Sequence, residues 1–123
     1  MIAVLASVLA ACVPLAEADR FGDIRFDERL RDDDPRFPPA VCDEDGCTGH
    51  DRSGVEYRTD GEWITNKTVH GLGPSSAFED RLEPEVPGSR VLTAVVCPWG
   101  SGMWLRLDLT AADRPVYGLV AQP

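Results

Sequence analysis

The strongest constraint on the fold is an alternation near the C-terminus. Met103, Leu105, Leu107 and Leu109 are apolar, and Trp104, Arg106 and Asp108 stand between them. Successive side chains of a strand point to opposite faces, so this period of two predicts a strand with one buried face and one at least partly wet face. Arg90 to Cys97 and Val116 to Ala121 are equally rich in β-formers. The turn-forming stretches Pro98-Trp99-Gly100-Ser101-Gly102 and Thr110 to Pro115 separate the three runs. A three-strand meander over 90–121 is therefore expected.

A second sheet signal lies upstream. Val55-Glu56-Tyr57-Arg58-Thr59 and Glu62-Trp63-Ile64-Thr65-Asn66 flank Asp60-Gly61. Asp-Gly between β-formers predicts a two-residue hairpin over 55–66, because both turn residues need positive φ. Tyr57 would then face Ile64, and Arg58 would face Trp63 in reach of a cation–π contact. Ser76-Ala77-Phe78-Glu79 matches a capping box, Phe78 and Leu82 are four apart, and Pro84 and Pro87 stop the run. A short helix over about 75–83 follows. Phe21 to Phe26 alternates like a short strand, Asp27 to Leu30 suits one helical turn, and Cys42 to Ser53 reads as a Gly-rich acidic loop. A short helix with an antiparallel sheet makes an α+β, two-layer fold. In element order over roughly Gly54 to Pro123, the chain resembles small envelope lipoproteins and β-lactamase-inhibitor-like modules.

The chain opens with an uncharged run from Ile2 to Ala11. Spanning a bilayer takes about 20 apolar residues, whereas a shorter run suits the hydrophobic region of a signal peptide. Leu9-Ala10-Ala11-Cys12 resembles the lipobox of bacterial lipoproteins. That resemblance implies cleavage before Cys12 and lipidation of its thiol and amine. Ala16-Glu17-Ala18 offers a second, ordinary cut after residue 18. The expected organisation is a signal peptide over 1–11, a tether over 12–20 and one small domain over 21–123. The protein would be exported and held by lipid at the outer side of the cytoplasmic membrane or in the periplasm or outer membrane. With the second cut it would be secreted.

Charge excludes one large class of function. Twenty-one acidic residues oppose 12 basic ones, for a formal net charge of −9. No Lys/Arg cluster supplies the basic surface that nucleic acid requires. Lipid on Cys12 would leave Cys42, Cys47 and Cys97, which make one disulfide and one free thiol. The Gly-containing turn Asp43-Glu44-Asp45-Gly46 favours Cys42–Cys47. A bond from either to Cys97 would close a longer loop, favoured by about 2 kcal/mol of chain entropy.

Sites for chemistry are sparse. Cys42, Cys47, His50 and Cys97 are a weak zinc set with the right ligand types at loose spacing. Asp43, Glu44, Asp45 and Asp51 lack the residue order of a calcium loop. Cys97 as a reactive thiol and His50 beside Asp51 are the remaining enzymatic candidates, and Ser101 lacks the strand–turn–helix setting of a nucleophile elbow. No catalytic residue or cofactor is expected from these. Trp99 and Trp104 either anchor a partner protein or cover the second face of the sheet beneath the N-terminal segment. The expected function is that of a lipid-anchored, non-catalytic binding module of the cell envelope, with the membrane and an envelope protein as partners. A secreted inhibitor or immunity-type protein is the alternative, followed by a small thiol or hydrolytic enzyme.

Overall fold

A computed structural model describes residues 12–30, 34–37, 41–71, 79–97, 102–111 and 113–121. The chain opens with β1 (Val13–Pro14) and a single helical turn, α1 (Leu15–Ala18). β2 (Val41–Asp43), β3 (Gly46–His50), β4 (Glu56–Thr59) and β5 (Ile64–His70) follow. A 3-10 turn at Glu79–Arg81 leads to β6 (Glu83–Pro84), β7 (Val91–Cys97), β8 (Met103–Asp108) and β9 (Val116–Ala121). These strands form one sheet in the order β1-β7-β8-β9-β5-β4-β3-β2, with β6 beside β7. It is mixed because β1 runs parallel to β7, while the other pairs are antiparallel.

The architecture is therefore nearly all β, which corrects the expected α+β class. Of the helix expected over about 75–83, residues 75–78 lie outside the described residues. The rest is a 3-10 turn, and Glu83–Pro84 pairs with Leu92 and Thr93 of β7. The cost of nucleation makes so short a helix marginal on its own. Pro84 also cannot extend it, yet is tolerated on an edge strand.

Two local registers also differ from expectation. Cys42 to Ser53 is not a loop but a hairpin, in which Cys42 is paired with Cys47 and Asp43 with Gly46. Gly46 has φ +149, and a Cβ there would overlap the carbonyl of Thr59, so only glycine fits. The Asp60-Gly61 turn is wider than two residues. Asp60 Oδ1 accepts the amides of Glu62 and Trp63, and the register shifts by a bulge between Arg58 and Thr59. Tyr57 is paired with Lys67 and Arg58 with Asn66, so neither faces Ile64 or Trp63. An Asp side chain capping its own loop outcompetes the tight turn.

One face of the sheet carries the core. Ala94, Leu105, Leu119, Lys67, Tyr57 and Gly49 form a row of successive cross-strand partners on this face. Its apolar members pack against Val13, Ala18, Ile24, Phe26, Leu30 and Phe37 of the N-terminal layer. The residues expected as a tether, 12–20, thus begin this layer, with Val13 0% and Ala18 1% exposed.

Beyond α1 the described residues of this layer have almost no regular structure, so their backbone needs other partners. Buried side chains supply them. Tyr117 Oη donates to the Ala18 carbonyl at 2.7 Å, and Lys67 Nζ donates to the Ile24 carbonyl at 2.7 Å. Asp19 Oδ2 accepts the Phe26 amide, Asp51 Oδ2 the Asp23 amide, and Tyr57 Oη the Ile24 amide. The strand expected over Phe21–Phe26 does not form because its polar groups bind these side chains instead of a ladder.

Candidate functional site

The other face of the sheet is the candidate site. Strand alternation puts Trp104 and Arg106 there, opposite in sense to Leu105 and Leu107. Register then extends two rows across the face. Val95, Trp104, Val120 and Asn66 are successive partners in one, and Thr93, Arg106, Gly118 and Thr68 in the other. The N-terminal layer lies on the opposite face, so Trp104 does not cover the sheet beneath it. It is 36% exposed instead.

A recess of about 390 Å³ opens among Glu85, Thr93, Trp104, Arg106 and Val120. A smaller one of about 100 Å³ adjoins it through the shared Arg106 and Val120, with Gly118 among its lining residues. Gly118 lines the smaller recess only. It has no side chain, and a Cβ would come within 3.2 Å of the Lys67 carbonyl. The Arg106 side chain is exposed and forms no hydrogen bond or ion pair within 4 Å among the described residues. Its charge, after the hydrogen bonds from Thr110, helps to hold the Asp108 carboxyl below the usual range.

The remaining candidates do not converge. Cys42 pairs with Cys47 in one disulfide, and Cys12 pairs with Cys97 in the other. No free thiol remains. The expected single disulfide plus free thiol is thereby corrected, because Cys12 is the partner of Cys97. A sulfur in a disulfide is neither a thiolate ligand nor a nucleophile. The weak zinc set of Cys42, Cys47, His50 and Cys97 and the reactive-thiol reading of Cys97 both fail on this ground. The described residues contain no group of three or more side chains suited to a metal.

His50 and Asp51 diverge as neighbours at a strand end. His50 is exposed and lies 3.6 Å from the Glu56 carboxylate. Asp51 turns inward, where its carboxylate accepts hydrogen bonds from Ser53, Val55, Asp23 and Tyr57. Asp43 is occupied by the Asp45 and Gly46 amides and by Arg58. A further recess of about 410 Å³ lies over the N-terminal layer beside Asp19, but both oxygens of that carboxylate are already engaged. Trp99 and Ser101 lie outside the described residues. The alternation that revealed Trp104 also signals Arg106, whereas Thr68, Gly118 and Val120 join the site only through the β5–β9 and β8–β9 registers.

Two disulfides fit an oxidising environment. No helix among the described residues is long and apolar enough to cross a membrane. Compared with known proteins, the chain matches no family model, no curated protein and no solved structure.

Proposed function

We propose that this chain is an exported, disulfide-stapled, non-catalytic binding module that engages a partner protein through the open face of its sheet. The observation that carries the reading is the juxtaposition of Trp104 and Arg106 at the larger recess, beside the smaller one that Gly118 lines. Trp and Arg are the residue types that most often dominate protein interfaces. The partner fitted by this chemistry presents an apolar side chain for the Trp104–Val120 wall and a carboxylate for Arg106. Exposed Arg20, Arg52, Arg90 and Arg114 likewise form no ion pair among the described residues, so what sets Arg106 apart is its place beside Trp104 at the recess.

The inhibitor reading is a special case in which the bound partner is an enzyme. The disulfide on Cys12 favours it over the lipid-anchored form, because it leaves no thiol for a thioether.

Affinity capture from the native envelope and culture fluid, run in parallel with wild type, Trp104→Ala and Arg106→Glu, tests the proposal. A protein retained by wild type and lost from both variants, with folding intact, is expected. Equal recovery by all three would contradict it. Loss of activity of a captured enzyme would assign the inhibitor form.

A further inference from the structure

We infer that the exported chain retains Cys12 and commits its sulfur to Cys97, so that leader cleavage falls on the N-terminal side of Cys12 and no thioether lipid is added. Four observations converge. The Cys12 and Cys97 Cα atoms are 5.5 Å apart and their sulfurs are bonded. The neighbouring backbone is in register with the same strand, Val13 against Val96 and Pro14 against Cys97. Arg81 donates to the Cys12 carbonyl at 3.4 Å. Val13 is fully buried directly after the cysteine.

A lipid on Cys12 would therefore have no spacer between the membrane and the packed body. It would also strand Cys97 as an odd thiol in an oxidising compartment. The alternative cut after Ala18 fares worse. It would remove β1, α1, half of a disulfide and the Ala18 carbonyl that receives Tyr117 Oη.

The chemistry is exclusive at one atom. Thioether formation replaces the S–H hydrogen of Cys12 with carbon. Disulfide formation instead removes the hydrogens of Cys12 and Cys97 as two protons and two electrons, which pass to a disulfide-bearing oxidant of the exporting compartment. One sulfur cannot do both. The inference rests on the export reading but not on the identity of a partner, since it concerns the β1–β7 pairing at one end of the strand order.

The test is the intact mass of the full chain, expressed with its own leader in an exporting bacterium and measured before and after reduction. The expected product starts at or before Cys12 but after Met1, carries no acyl mass and gains four hydrogens on reduction, two for each disulfide. An acyl-glyceryl adduct on Cys12, a chain starting at Asp19 or an uncut Met1 chain would each overturn the inference. Cys97→Ser supplies a second readout that does not depend on a correct fold. Cys12 should then be alkylated by a thiol reagent in denaturant, and a Cys12 that stays blocked would contradict the inference.

Discussion

Lys67 Nζ lies 2.5 Å from Asp19 Oδ1, and the two side chains are only 1% and 5% exposed. The lysine is the only one in the chain; the other 11 basic residues are arginines. Its ammonium also donates to the Ile24 carbonyl and lies 4.6 Å from the centre of the Phe21 ring. The pair joins the N-terminal layer to a central strand across 48 residues of sequence.

Removing one partner should be far worse than removing both. A buried charge left alone costs about 3–5 kcal/mol, whereas replacing both charges with apolar groups is often close to neutral. Asp19→Leu and Lys67→Met should each lower unfolding stability in urea by that amount. The double variant should recover much of the loss, less a contribution from the Ile24 carbonyl, which would keep only the 3.4 Å bond from Tyr57 Oη. Additive losses would show that the pair is not coupled.

The two disulfides should differ in weight. In the chain-entropy account, a bond across 85 residues is worth about 4.5 kcal/mol and one across 5 residues about 2 kcal/mol. Replacing Cys12 and Cys97 with serine should therefore reduce the melting temperature more than replacing Cys42 and Cys47. The reverse order would mean that the β2–β3 hairpin, not the N-terminal layer, limits stability.

Stability should fall at both ends of the pH range. Burial pushes the Asp51 carboxyl up, but hydrogen bonds from Ser53, Asp23, Tyr57 and Val55 outweigh it and hold the pKa below the usual value. A depressed pKa gives stability that is present above the unfolded pKa, about 3.9, and lost as pH falls through the folded value. Burial, followed by the bond to Asp51, pushes the Tyr57 phenol up. A raised pKa gives stability that is present below the unfolded value, about 10, and lost as pH rises beyond it. Tyr57→Phe should flatten the alkaline limb of a stability–pH curve. An unchanged alkaline limb would remove Tyr57 from the account.

Glycine substitutions separate backbone contact from backbone conformation. Gly46→Ala forces a Cβ into the Thr59 backbone and should cost about 3 kcal/mol or more. Gly61→Ala meets nothing within 4 Å and pays only for its φ of +107, about 1–2 kcal/mol. Equal losses in thermal denaturation would contradict the close approach at Gly46.

Much of the sheet was legible because alternation is a local property. Met103 to Asp108 shows its two faces directly, and parity alone puts Trp104 on the wetter one. The N-terminal layer was illegible because its order is not local. Nothing near Asp19 or Ile24 announces that Lys67, Tyr57 and Tyr117, at separations of 33 to 99 residues, will satisfy its backbone. The Cys12–Cys97 bond is hidden in the sequence for a related reason. A cysteine after small apolar residues carries a local resemblance strong enough to remove it from the disulfide count. Gly118 entered the site only through its register with Arg106 and Thr68, which no single strand displays.

The N-terminal layer is part of the core, held by buried polar side chains on the sheet face opposite Trp104 and Arg106. Native-state hydrogen exchange of the Asp23, Ile24 and Phe26 amides tests it most directly. These amides bond to Asp51, Tyr57 and Asp19, so they should exchange as slowly as the amides of β8 and β9, through global unfolding. Rapid exchange at all three while β8 and β9 stay protected would show the layer detached, and would contradict the account.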